Sequence, residues 1–322
     1  ELVAGSHGRG FWVLDNLAPL REATPGMTEK TMLFTPPMAT RSAGGVTLSW
    51  WQPEEDDDPR LDILDNDGNV LRTFLPDGQD AEEVGPEGRY LSASLPNKAG
   101  LNFVHWDLRT QPFEVFPGMI YWGVRTSAPA VPPGEYTVRL TSGGQVFNTP
   151  LHVQRNPWIT DVTDEDLQAQ FDFGEMVRDK VTEANREVIM VRNVKSQLDE
   201  RMEHSSDSRL AEAGTRLTAK ASEVEQWIYQ VLNEAGQDPL NFPIRVNNRL
   251  ANLLSMSERG DGRPGNNMPV IFDILVEELS GYQQEIDEIW SIELTEVNRI
   301  LGNLGLPAID PECDRPEGCM AT

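Results

Sequence analysis

At Thr163 the spacing of apolar residues changes from every second position to every third or fourth, and this change most constrains what the chain can fold into. Upstream, from about residue 31 to 156, short alternating runs are punctuated by Gly, Pro and Asn-Asp: VTLSWW, RLDILD, NVLRTFL, GLNFVHWDL, GEYTVRLTS and QVFNTPLHVQ. Alternation sends successive side chains to opposite faces of a strand, so each run predicts a half-buried strand. Several at short spacing, with no helical period between them, predict an antiparallel β-sandwich. Asn66, Asp67 and Gly68 stand between two apolar runs and predict a hairpin turn, which needs positive φ.

Downstream the pattern is helical. Thr163 predicts an N-cap, with Asp166 three residues on in a capping-box arrangement and further acids in the first turn. Val177, Val181, Ala184, Val188, Val191 and Leu198 then recur in steps of three and four, with one beat skipped near Lys195. Leu210, Leu217, Ala221, Val224, Ile228 and Val231 repeat the pattern and predict a second helix ending near Gly236. A shorter helix is expected from about Pro243 to Met256 and a last one from about Pro269 to Leu304, stopped by Gly305 and Pro307. Apolar stripes joined by short polar loops predict an antiparallel helical bundle.

Charge and cysteine usage narrow the partners. The net charge of −25 repels phosphates and anionic headgroups, which argues against nucleic acid and membrane surfaces. No apolar run reaches the ~18 residues of a membrane span. The two cysteines, Cys313 and Cys319, flank Pro316 and Gly318 and predict a small disulfide loop, hence an oxidising compartment; the other reading is two exposed thiols.

The chemistry-bearing residues form no evident catalytic set. His7, His105, His152 and His204 lie on separate segments, and none has metal-site spacing to another. With 52 acids a glycosidase-like carboxylate pair carries no information. The run EEDDD at 54–58 reads as a solvated loop. Asp65, Asp67 and Asn69 resemble the start of a calcium loop, but Gly68 stands fourth where the loop needs its glycine sixth, and no bidentate Glu follows; the hairpin turn is the preferred reading and Ca2+ the weaker one. Arg259-Gly260-Asp261 matches a short adhesion tripeptide and is expected to be an interhelical loop. Trp50, Trp51, Phe103, Trp106, Phe113, Phe116, Tyr121 and Trp122 are expected mainly in the core, the other reading being a sugar-stacking face.

The first residues pose a separate question. GSHGRGFWVLD alternates like a strand after a glycine-rich corner, so Leu2, Val3, Phe11, Trp12, Val13 and Leu14 predict a hairpin with an edge to be paired. LVAGSHGRGFWVLDNLAPLRE resembles the last blade and exit of secreted bacterial sortilin-type, or glycosyl-hydrolase-like bacterial-neuraminidase-repeat (BNR), β-propeller proteins. LDILDNDGNVLRTF, AGLNFVHWDLR and PPGEYTVRLTSGGQ resemble the Ig-like domain that follows in that family; DLQAQFDFGEMVRDKV and PIRVNNRLANLLSM resemble its terminal helical segment. Departures are modest: GSHGRG stands where a Thr commonly precedes the His, and GLNFVHWDL where an Arg often follows the Asn.

The resemblance implies residues 1–30 as a remnant of the last propeller blade and a linker, 31–158 as an Ig-like β-sandwich, 159–306 as a helical bundle and 307–322 as a C-terminal tail. It implies a secreted, periplasmic or cell-surface protein whose natural N-terminus lies upstream. The expected function is a non-enzymatic accessory or interaction module. Its partner is the protein's own upstream propeller or another chain by strand addition, a homo-oligomer included. The alternatives are the accessory half of a glycoside hydrolase with its active site on the propeller, and a structural subunit of an extracellular assembly. No neuraminidase-type Asp box is present, and no catalytic residue or cofactor is assigned.

Overall fold

A computed structural model describes residues 2–14, 16–42, 44–76 and 94–313. The fold is mixed, with three sheets followed by helices. A ribbon of β1 (Leu2–Ser6) and β2 (Gly10–Leu14) is followed by the short helix α1 (Ala18–Glu22). Then come β3 (Met32–Leu33), β4 (Ala39–Thr40), β5 (Val46–Gln52), β6 (Arg60–Leu64), β7 (Val70–Phe74), β8 (Gly100–Trp106), β9 (Gly134–Ser142) and β10 (Gln145–Gln154). Strand order is β4-β10-β9-β6-β7 in a five-stranded sheet and β3-β5-β8 in a three-stranded one. All neighbours are antiparallel except β4, which runs parallel to β10.

Each long alternating run of the sequence is one of these strands, and the alternation sorts its side chains. Leu48 and Trp50 of β5 and Val104 and Trp106 of β8 meet Leu61, Ile63, Val138, Leu140, Leu151 and Val153 of the other sheet in one apolar core. The two buried indoles keep their N–H groups satisfied: Trp50 Nε1 donates to Gln52 Oε1 at 2.9 Å and Trp106 Nε1 to the Arg109 carbonyl at 2.8 Å. The β6–β7 turn has Gly68 at φ 85°, as the Asn-Asp-Gly sequence requires.

Between β8 and β9 the chain leaves the sheets. Arg109 bridges Ala130, and the intervening strap lies along the helices. Its Phe113, Phe116, Met119, Tyr121 and Val124 belong to the helical core, not to the core between the sheets. The strap has few backbone partners of its own, and helix side chains supply them. Tyr229 Oη accepts from the Ile120 N–H at 3.0 Å, Asn248 Oδ1 from the Trp122 N–H at 2.8 Å, and Ser255 Oγ from the Arg125 N–H at 2.9 Å. Asn185, fully buried, donates to the Glu114 carbonyl at 2.6 Å and accepts from Tyr121 Oη at 2.6 Å and Asn247 Nδ2 at 3.0 Å. The strap comes so close that a Cβ on Gly174 would lie 2.6 Å from Pro129.

The helices are α2 (Asp164–Glu203), α3 (Ser208–Ile228), α4 (Val246–Ser257), α5 (Met268–Ile289) and α6 (Thr295–Leu304). Thr163 and Asp166 close the expected capping box at the start of α2. Two boundaries differ from the sequence reading. α3 stops at Ile228, well before Gly236, because Tyr229 turns extended to bury its ring against Phe116 and Gln230 Nε2 donates to the Pro243 carbonyl. The last helix is interrupted by a π turn at Trp290–Leu294, which shifts the register between α5 and α6. Gly305 then ends α6 at φ 70°, with the Leu306 N–H returning to the Leu301 carbonyl at 3.0 Å.

Two measurements check these assignments. Asn185→Ala removes the hydrogen bonds that join it to Tyr121 Oη, Asn247 Nδ2 and the Glu114 carbonyl, and is expected to cost about 1–3 kcal/mol in urea unfolding. The Asp207 carboxyl, which caps α3, is held down to about 2 by its hydrogen bonds from the Arg209 guanidinium and the Arg209 N–H. Its folded value lies below its ordinary 3.8, so its contribution is complete above 3.8 and is lost as pH falls toward 2. Asp207→Asn removes that part of the acid dependence of helicity.

Candidate functional site

The ribbon is the feature whose side chains are least explained by the fold. Its register pairs Leu2 with Leu14, Val3 with Val13, Ala4 with Trp12 and Gly5 with Phe11. One face therefore carries Leu2, Ala4, Trp12 and Leu14, and the other Val3, Gly5, Phe11 and Val13. Gly5 leaves room for the Phe11 ring, whose edge lies 3.4 Å from where a Cβ would sit. Gly8 and Gly10, both at positive φ, make the corner, and Ser6 Oγ donates to the Gly10 carbonyl at 3.2 Å.

Both faces are apolar and both are open to solvent: the six large side chains are between 45% and 83% exposed. A strand apolar on two faces has the pattern of a strand covered on both sides. Two isolated strands are marginally stable in water, and each outer edge offers unpaired N–H and C=O groups. Among the described residues the ribbon forms a sheet of its own, and neither of the other two sheets takes it up. At its root Asn16 Nδ2 donates to Ser49 Oγ at 3.1 Å, and Ser49 is the cross-strand neighbour of the exposed Phe103. Leu101, also exposed, lies on the same face of β8 as Phe103.

Other sequence candidates are placed apart. Asp65 uses its carboxylate within its own turn: Oδ1 accepts from the Asp67 and Asn69 N–H groups at 2.9 and 2.8 Å, and Oδ2 from Asn69 Nδ2 at 2.9 Å. That is turn chemistry and leaves Asp65, Asp67 and Asn69 poorly arranged to converge on an ion. Among the described residues no group of three His, Cys, Asp or Glu converges. The EEDDD loop is tied down rather than simply solvated, since Asp56 Oδ2 accepts from the Gly143 N–H at 2.9 Å. His105 faces the Gly44 carbonyl, His152 Glu135 and His204 the Glu200 carbonyl, each at a different place. Trp50, Trp106, Phe113, Phe116 and Tyr121 are buried, whereas Phe103 is exposed. Cys319 lies outside the described residues, and so does its expected pairing with Cys313. No helix among the described residues is long and apolar enough to cross a membrane.

The tripeptide at 259–261 has a role that its sequence did not suggest. Asp261 is buried, with Oδ1 3.1 Å from Arg41 Nε. Beside it Arg109 Nη1 donates to Glu258 Oε2 at 2.7 Å, and the same oxygen accepts from the Ala130 N–H at 3.0 Å. Gln170 of α2 joins them, accepting from Arg41 Nη2 at 2.6 Å and donating to the Ser257 and Gly260 carbonyls. Burial pushes the Glu258 carboxyl up, and Arg109 opposes that; burial likewise pulls the Arg41 guanidinium down, and Asp261 opposes it. These residues lie far apart in sequence, and no local spacing announces them.

Phe11→Ser and Trp12→Ser are expected to change unfolding free energy by no more than about 0.5 kcal/mol, as surface substitutions do. Trp106→Ala, in the core, is expected to cost about 3–5 kcal/mol in the same urea titration. No protein-family model matches this chain, and no curated protein matches it.

Proposed function

We propose that this chain is a non-enzymatic interaction module from the C-terminal part of a secreted β-propeller protein of the sortilin-type, BNR-repeat kind, and that β1–β2 is the hairpin completing its last blade. The single observation that carries the reading is the ribbon, apolar on both faces and exposed on both. Inserted beside further strands it gains ladder hydrogen bonds along its edges and covers Leu2, Val3 and Phe11–Leu14.

The sheet topology supports an Ig-like sandwich for the middle of the chain. Read as successive strands, β3, β5 and β8 make one sheet and β6, β7, β9 and β10 the other, with β4 crossing over to lie parallel to the final strand. Tyr136, near the start of β9, donates from Oη to the Pro132 carbonyl at 2.6 Å, the kind of tyrosine corner found in such domains. The shared core of α2–α6 supports an antiparallel bundle behind it. An extracytoplasmic location follows from the family reading and from the expected Cys313–Cys319 loop.

Hydrogen–deuterium exchange on residues 2–14 tests the proposal in two samples, this chain alone and the natural protein purified from its source. Fast exchange in the chain alone and strong protection in the natural protein are expected. Equal rates in both overturn it, as does hydrolysis of sialosides or other glycosides by this chain alone.

A further inference from the structure

α5 has a face that nothing among the described residues covers. Leu275, Leu279, Ile286 and Ile289 are its buried residues and set its core side. With about 100° between successive side chains, Val270, Ile274, Glu277, Gly281, Glu285 and Glu288 fall in a single stripe turned away from that side. All six are exposed, over about 27 Å of helix.

The stripe has three parts. Its first part is apolar: Val270 is 58% and Ile274 55% exposed, with Ile271 beside them at 38%. Apolar side chains aimed away from the core gain no burial from the folding of this chain. Gly281 stands in the middle. Glycine inside a helix is less stable than alanine, and no atom lies within 4 Å of where its Cβ would sit, so packing within the chain does not require it. A glycine there lets another backbone approach closely. The remainder is acidic. α5 is the one helix of α1–α6 with no Lys or Arg, against six acids of its own. Glu278 is paired with Arg249, whereas Asp273, Glu277, Glu285 and Glu288 have no ion pair among the described residues. Asp273 and Glu277, four residues apart, and Glu285 and Glu288, three apart, repel each other. On the flank, burial pushes the Glu187 carboxyl up, and Asp287 and Glu183 add to this against the hydrogen bond from Gln283.

Charge selects the occupant. In a second copy packed antiparallel, the apolar end of one α5 would meet Glu285 and Glu288 of the other; packed parallel, acids would meet acids, on chains of net charge −25. Nucleic acid and anionic headgroups are repelled. A helix with apolar anchors at one end and bases along the same face fits all three parts. We propose that the outer face of α5 docks a basic amphipathic helix of another protein. Its anchors cover Val270 and Ile274, its backbone passes close over Gly281, and its Lys or Arg side chains neutralise Glu277, Glu285 and Glu288.

The test is fluorescence anisotropy of two labelled alanine-based peptides of about 20 residues, long enough to be helical, titrated with the whole chain. Each carries a leucine pair at i, i+4 near one end and three lysines along the same face toward the other. The pair is N-terminal in one and C-terminal in the other, for parallel and antiparallel docking. One of the two is expected to saturate with a Kd on the order of 10 μM at low salt, and to weaken at least about tenfold in 0.5 M salt. Ile274→Ser and Glu285→Lys are each expected to weaken it about fivefold or more. Gly281→Leu improves helix propensity and is expected to raise the Tm of the chain while weakening the peptide about tenfold or more. Absence of saturation with either peptide, equal binding by a peptide whose lysines stand on the opposite face, or wild-type affinity in Gly281→Leu each overturn the proposal. So does self-association in sedimentation that Ile274→Lys abolishes, since it gives the face to a second copy.

Discussion

The carboxylate of Glu258 holds the two halves of this molecule in one orientation. It sits at the C-terminal end of α4 and reaches the strap, where it takes both the Arg109 guanidinium and the Ala130 N–H on one oxygen. Asp261, three residues on, pairs with Arg41 after β4, its Oδ1 3.1 Å from Nε. Removing such charges from water costs several kcal/mol per ion, and the pairing roughly offsets that. The gain is therefore less in net stability than in geometry: an apolar seam tolerates sliding, whereas two enclosed carboxylates, each paired with one arginine and Glu258 also holding the Ala130 N–H, accept one register.

The strap and the ion pairs depend on each other. Arg109 and Ala130 are the two ends of the strap, joined by a β bridge, so Glu258 grips it where it leaves and re-enters the sheet region. Between those ends, Asn185, Asn248 and Ser255 accept and donate where strand neighbours would otherwise stand, and Asn247 donates to Asn185 behind them. This explains why fully polar side chains occur on the inward faces of α2 and α4, interrupting their apolar stripes.

Much of the architecture was legible in local pattern. The alternating runs at 46–52, 60–64, 70–74, 100–106, 134–142 and 145–154 are strands because each faces one core, and Thr163 starts a helix because its hydroxyl and Asp166 cap each other. The strap was not legible: Phe113, Phe116 and Tyr121 look like core aromatics of a β domain, and only the tertiary structure sends them among helices. The end of α3 was misplaced because Val231 continues the helical beat in sequence while Tyr229 follows a stronger demand, its ring against Phe116 and its hydroxyl at Ile120. The ribbon could be read from its alternation, since Phe11–Leu14 need no distant partner to announce a strand. Arg41, Glu258 and Asp261 could not, because a charge's burial depends on what folds over it.

One consequence follows from the path of the strap. Residues 110–129 are inserted between two strands, yet their apolar side chains serve the helices that come later in the chain. A scissile point after β10 would therefore divide the polypeptide without dividing the packing. Were the two pieces then pulled apart, the front one would carry away Phe113, Phe116 and Tyr121 and leave the helices with a trench where those rings had been. Sheet and helix regions differ in kind, yet the helical core is completed by side chains from a segment inserted in the sheet region, so neither region keeps its full packing when transplanted alone.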